Sequence, residues 1–145
     1  MRRIVSSFIL LSIIIAQIIP FVAFGQEKNI NVSDFEVTAP TEVKVNEAFD
    51  ITVKALGDDK KKITTYQGTV YFDNNNSPPA NVTLPFEDGY EYQLSDQGEH
   101  IFTKGFVLKK AGSYELEVYE IGTPSGDGVS KKITITAVDK DVPPA

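Results

Sequence analysis

The sequence predicts an all-β fold: one antiparallel β-sandwich domain of about seven short strands behind an N-terminal export segment. Three observations carry this. Beyond residue 30, apolar side chains recur every second residue almost everywhere, and no 3.6-residue stripe lasts longer than one turn. Clusters rich in Gly, Asn, Asp and Pro separate these runs. The 145-residue chain, less its first 25, suits one core and is too short for two.

Taken in order, residues 26–30 are polar, and Phe35 and Val37 then alternate with Asp34, Glu36 and Thr38 until Pro40 ends the run. Residues 26–39 therefore read as an N-terminal segment plus a first strand, packing with a domain over 40–138. Phe49, Ile51, Val53 and Ala55 alternate with Asp50, Thr52 and Lys54 as the cleanest strand, and Val70 and Phe72 oppose Thr69 and Tyr71. His100, Phe102, Phe106 and Leu108 share one face of the next long run, with Gly105 a candidate bulge. Tyr114, Leu116 and Val118 point in while Glu115, Glu117 and Tyr119 point out, and Ile133, Ile135 and Ala137 close the domain. Turns are expected at Gly57-Asp58-Asp59, from Asp73 to Pro79, at Asp96-Gln97-Gly98, at Ala111-Gly112-Ser113 and from Pro124 to Gly128. Residues 139–145 form a charged, then Pro-rich tail.

Residues 1–25 have the parts of a secretory signal. Arg2 and Arg3 supply the positive end, Ile4 to Ile19 an apolar run broken only by Ser6, Ser7, Ser12 and Gln17, and Pro20 a helix break. Ala23 and Gly25 are the small residues a signal peptidase reads, so cleavage is expected between Gly25 and Gln26. The alternative is an uncleaved membrane anchor, since residues 4–24 as a helix would span roughly 30 Å. Either way the rest of the chain is expected outside the cytoplasm, secreted or in the cell envelope.

Without Arg2 and Arg3, 12 lysines face 20 acidic residues, a net of −8 with no arginine. Such a surface is unsuited to nucleic acid, which needs cations to displace phosphate counterions, and to anionic membranes. There is no cysteine, so disulfides, zinc–thiolate sites and thiol nucleophiles are excluded, and the core and backbone ladders alone hold the fold.

The stretch from Glu47 to Ala55, followed by Ile63-Thr64-Thr65-Tyr66-Gln67-Gly68-Thr69-Val70-Tyr71-Phe72, resembles the front half of the immunoglobulin-like repeats of large bacterial surface proteins. The back half is similar too, through Leu84-Pro85, Tyr90-Glu91-Tyr92, Asp96 to Phe102, and Leu108 to Tyr114. The resemblance covers roughly residues 40–137 and extends more loosely to filamin-type sandwiches. It implies a β-sandwich serving as a spacer or adhesive module. Those repeats come in tandem, whereas this chain carries one copy.

The candidate residues mostly have structural readings. His100 is the only histidine and has no cysteine or second histidine to share a metal, so a buried histidine with one hydrogen-bond partner is expected. Tyr114, after Ala-Gly-Ser, reads as a tyrosine corner whose hydroxyl caps a backbone group. No cofactor is expected. Asp58-Asp59 and Asp73-Asn74-Asn75-Asn76 fail as an EF-hand, because counting from Asp73 puts Leu84 where the bidentate Glu belongs. A looser calcium site between loops stays open beside the reading as solvated turns. Lys60-Lys61-Lys62 reads as an exposed hairpin end. Asn31, Asn75 and Asn81 begin glycosylation-like triplets. Tyr71 and Tyr119 point outward, and Tyr90 and Tyr92 share a face. Outward tyrosines serve either sugar or protein recognition or plain cross-strand packing.

No Gly-x-Ser-x-Gly, phosphate loop or His-Glu-x-x-His is present, and no enzymatic activity is expected. The expected function is an exported binding or adhesion module whose partner is a protein or cell-surface component, with carbohydrate as a second ligand class. Protease inhibition and a structural role in a surface layer or fibre are the alternatives. Intact-mass measurement on fractionated cells and medium checks the export reading. A soluble species beginning at Gln26 is expected, whereas a full-length mass in the membrane fraction means an anchor.

Overall fold

The computed structural model describes residues 31–75, 79–121 and 128–140. The export segment, the Gly25–Gln26 cleavage point, most of the Pro124–Gly128 turn and residues 141–145 of the tail lie outside the described residues. Among those described, no helix is long and apolar enough to cross a membrane.

The described strands are β1 (Asp34–Thr38), β2 (Glu42–Lys44), β3 (Ala48–Leu56), β4 (Thr69–Asn74), β5 (Val82–Thr83), β6 (Tyr90–Glu91), β7 (Glu99–Leu108), β8 (Gly112–Glu120) and β9 (Ser130–Val138). They form a four-stranded sheet, β1-β3-β7-β5, and a five-stranded sheet, β2-β9-β8-β4-β6. This is a β-sandwich of immunoglobulin-like strand order. β5 and β6 are two-residue contacts, so the longer strands number seven.

One pairing departs from the antiparallel expectation: β2 runs parallel to β9, with Val43 opposite Ala137. The cause is local. Pro40 has no N–H to continue the β1–β3 ladder. The chain therefore leaves the first sheet and joins the second, where the carbonyl of Thr41 accepts from Thr136 N at 2.9 Å.

The core lies between the two inner faces and follows the alternation of the sequence. Phe49, Ile51, Val53 and Ala55 of β3, Val70 of β4, and Tyr114, Leu116 and Val118 of β8 are all buried. Phe72 of one sheet meets Phe102 and Phe106 of the other edge-on, with centroids 4.7 and 4.9 Å apart. Each large apolar side chain so buried stabilises the fold by about 1.5–3 kcal/mol. Loops add Val32, Ile63, Tyr66 and Tyr92, which strand alternation alone does not reveal. The Tyr92 hydroxyl donates to the carbonyl of Val53 at 2.8 Å inside this core.

Gly105 does lie in a bulge. Phe49 pairs with Phe106 and Ile51 with Phe102, so Thr103, Lys104 and Gly105 together face Asp50 alone. The Asp50 carboxylate accepts from the Lys104 amide at 2.6 Å, and Lys104 has a left-handed φ of 50°. At the β7–β8 turn, the Tyr114 hydroxyl donates to the carbonyl of Lys110 at 2.7 Å.

Gly98 fixes the other end of β7. Its carbonyl accepts from Ala55 N at 2.9 Å, its φ is +73°, and a Cβ there would stand 2.0 Å from the carbonyl oxygen of Ile63. Gly98→Ala is expected to cost about 2 kcal/mol or more, combining left-handed strain with a backbone clash. Denaturant unfolding of the two proteins checks this.

Candidate functional site

The flank between β6 and β7 gathers the most varied side chains. A 3-10 turn, Leu94–Asp96, follows β6 and places the Asp96 carboxylate between two rings. Oδ2 accepts from Gln93 N at 2.8 Å and from the Tyr90 hydroxyl at 3.0 Å, while Oδ1 lies 3.0 Å from His100 Nδ1. Burial alone would raise the Asp96 pKa, but the Gln93 amide, His100 and the Tyr90 hydroxyl together hold it below the usual carboxylate range. Burial, then the bond to Asp96, pushes the Tyr90 phenol up to about 12.

His100 has the single polar partner expected, but it is half-buried and not fully enclosed. Its ring lies 4.0 Å from that of Tyr90 and 4.7 Å from that of Phe102. Besides Asp96, His100 contacts the rings of Tyr90, Tyr92 and Phe102. The arrangement ties the turn to β7. The role of Asp96 was hidden in the sequence, where Asp96-Gln97-Gly98 signals only a turn.

Above this corner the segment from Leu84 to Gly89 crosses from one sheet to the other. Phe86 on it is 52% exposed with a left-handed φ of 52°, a rare conformation for a bulky residue. Its ring stands 5.3 Å from Tyr90 and 5.9 Å from Phe102. Beneath the crossing is a cleft of about 430 Å³, bordered by Phe72, Thr83, Pro85, Phe86, Glu87 and Lys109.

On the outer face of the five-stranded sheet, Tyr71 and Tyr119 are cross-strand partners with rings stacked 5.6 Å apart. Both are half-buried, and Tyr119 borders a groove of about 290 Å³ with Asp73, Glu117 and Ser130. The Ser130 hydroxyl and the Asn75 amide, with Lys132 nearby, hold Glu117 below the usual range against burial. Tyr90 and Tyr92 do share a face, but it is the inner one, and Tyr92 is fully enclosed.

The two acidic loops do not come together. Asp58-Asp59 follows the end of β3 that meets the start of β7, whereas Asp73 and Asn74 approach the opposite end, where β7 turns into β8. Among the described residues no three His, Cys, Asp or Glu cluster in a way that could hold a metal. Each lysine of the 60–62 run has an acidic partner: Asp34, Asp59 and Glu99 respectively. Asn31 and Asn75 are exposed, and Asn81 is half-buried.

No family model and no curated protein matches the chain. Among solved structures, it is similar to the PKD domain of an M14-like peptidase from Thermoplasmatales archaeon SCGC AB-540-F20 (14% identity, TM-score 0.45, 72% of this chain and 92% of that one). It is also similar to a conjugative transposon lipoprotein from Bacteroides eggerthii DSM 20697 (9% identity, TM-score 0.43, 70% and 94% covered). A third is the superoxide reductase (neelaredoxin) from Ignicoccus hospitalis (13% identity, TM-score 0.43, 74% and 82% covered).

One half-buried acid remains. Glu120 of β8 turns its carboxylate toward the hydroxyl of Tyr66, and a Cβ on Gly68 would fall within 2.4 Å of oxygens on both. Burial raises the Glu120 pKa, with the Tyr66 hydroxyl opposing; burial, with Glu120 nearby, drives the Tyr66 phenol well above its ordinary value. A carboxyl whose pKa rises on folding binds its proton more tightly in the folded state, so its contribution to stability falls as pH rises from the ordinary value of 4.5 through the folded pKa. Glu120→Gln, which cannot ionise, is expected to equal or exceed the wild type at neutral pH by up to about 1 kcal/mol. The difference should vanish at acid pH, and urea unfolding across that range reads it directly.

Proposed function

We propose that this chain is an exported, non-enzymatic binding module acting outside the cytoplasm through a protein partner. The observation that carries the reading is the flank between β6 and β7, where Phe86 is half-exposed in a strained backbone conformation over Tyr90 and Phe102. A bulky aromatic held open to solvent at the cost of backbone strain is poorly explained by stability and well explained by recognition. The Asp96–His100 pair, with the Tyr90 hydroxyl also bonded to Asp96, serves to hold that flank rigid. The Arg-Arg and apolar run before residue 25, and the immunoglobulin-like strand order, support a role at the cell envelope or surface.

Lysine-reactive cross-linking of the full chain in envelope extracts tests this. A reproducible conjugate is expected, weakened when Phe86→Ser removes the exposed ring. If the full chain forms no conjugate in any envelope fraction, the binding reading is abandoned.

A further inference from the structure

The ladder of β7 is occupied on one side except at the Thr103–Gly105 bulge, and on the other only at its end. Ala55 N bonds to the carbonyl of Gly98, and Asn46 N to that of Leu108, so the even-numbered residues of β7 turn their backbone groups toward β3. Glu99, Ile101 and Thr103 turn theirs the other way. On that side β5 reaches only Val107 and Leu108. The crossing segment then leaves the sheet at Pro85, which packs against Gly105 and has no N–H to donate. Among the described residues, no strand pairs with the far side of Glu99, Ile101 or Thr103.

Between Glu99 and the exposed Thr103 and Lys104, the side chains beside this edge are apolar. Ile101 is 56% exposed on the outer face. On the inner side stand Phe86, Tyr90 and Phe102, in ring contact with one another. The exposed charges on the crossing segment and on β6 are acidic: Glu87, Asp88 and Glu91. Glu99 is already matched by Lys62 at 3.0 Å.

We infer that the open half of β7 accepts an extended segment of a protein partner as an added strand, continuing the row that β5 begins. The segment carries β-branched residues on both faces, which cover Ile101 on one side and the Phe86–Tyr90 rings on the other, and lysine or arginine beside Glu87, Asp88 and Glu91. Backbone bonds to Glu99, Ile101 and Thr103 supply register-independent affinity, and the aromatic flank and acidic rim supply selectivity. This rests on the binding reading above and names its surface and partner class.

The experiment uses the full chain and a short peptide of alternating valine and threonine with a lysine at each end. Its counterparts have glutamate ends or a central proline. Amide hydrogen exchange by NMR is followed with and without peptide. The Ile101 and Thr103 amides are expected to exchange freely alone and to slow at least roughly tenfold with the lysine-ended peptide, but with neither counterpart. Ile101→Lys, a charged guard on the edge, is expected to abolish the protection, and Thr134→Lys, on the outer face of β9, to leave it unchanged. Protection of both amides in the free chain, protection that appears elsewhere, or no protection at all overturns strand addition. Envelope cross-linking that is equal for wild type and Ile101→Lys leaves the binding reading standing and removes the edge; cross-linking absent from both removes the binding reading itself.

Discussion

The register between β3 and β7 is the constraint on which the rest of this sandwich depends. Three residues of β7 face Asp50 alone, an excess of two, so the strand kinks without changing the parity of its side chains. Phe102 and Phe106 therefore both reach the core, where Phe72 packs edge-on against each. An excess of one residue would have turned one of these rings to solvent. The Asp50 carboxylate makes the kink tolerable by accepting the amide that the bulge frees, at 2.6 Å from Lys104 N. Exposed as it is, Asp50 acts on the core at one remove.

The same register organises the top of the domain. With Gly98 bonded to Ala55, the chain must arrive at β7 through a left-handed glycine packed against Ile63. The turn before it then has little freedom, and the capping of Leu94–Asp96 by Gln93 aims the Asp96 carboxylate at Tyr90 and His100. Tyr92, two residues before that turn, is drawn inward to the Val53 carbonyl on the neighbouring strand. Core, turn and aromatic flank are thus successive consequences of one pairing, which is how a cysteine-free domain holds a precise corner.

The strands were legible in the sequence wherever a two-residue period met a turn cluster. Phe49 to Ala55 and Tyr114 to Val118 lie buried as their alternation implies, and the isolated Gly105 marked the bulge. What escaped was whatever depends on contacts distant along the chain. The switch of β2 to a parallel pairing follows from Pro40 only once β9 is known to lie beside it. Tyr66 and Ile63 enter the core from a loop with no periodicity to betray them. His100 was readable as a residue with one partner, but Asp96 as that partner and Tyr90 as its stacking surface required the turn geometry. The open edge was equally invisible, because it depends on β5 stopping after two residues.

How the sheet margins are treated separates ordinary edges from the unusual one. β2, β5 and β6 are two or three residues long, too short to template another chain. β1 is longer, but Asp34 and Glu36 on it are tied to Lys60, Lys131 and Lys54, which sets charge along that margin. The far side of β7 is longer and is guarded only at its ends, by the Glu99–Lys62 pair and by the bulge with the exposed Lys104; between them Ile101 is exposed, and the chain that could have covered it departs at a proline. An acidic chain, at −6 overall, resists pairing that edge with its own copies through general repulsion. That repulsion does not oppose a basic segment. On the strand-addition proposal, this charge makes the stretch around Ile101 selective for segments of opposite sign.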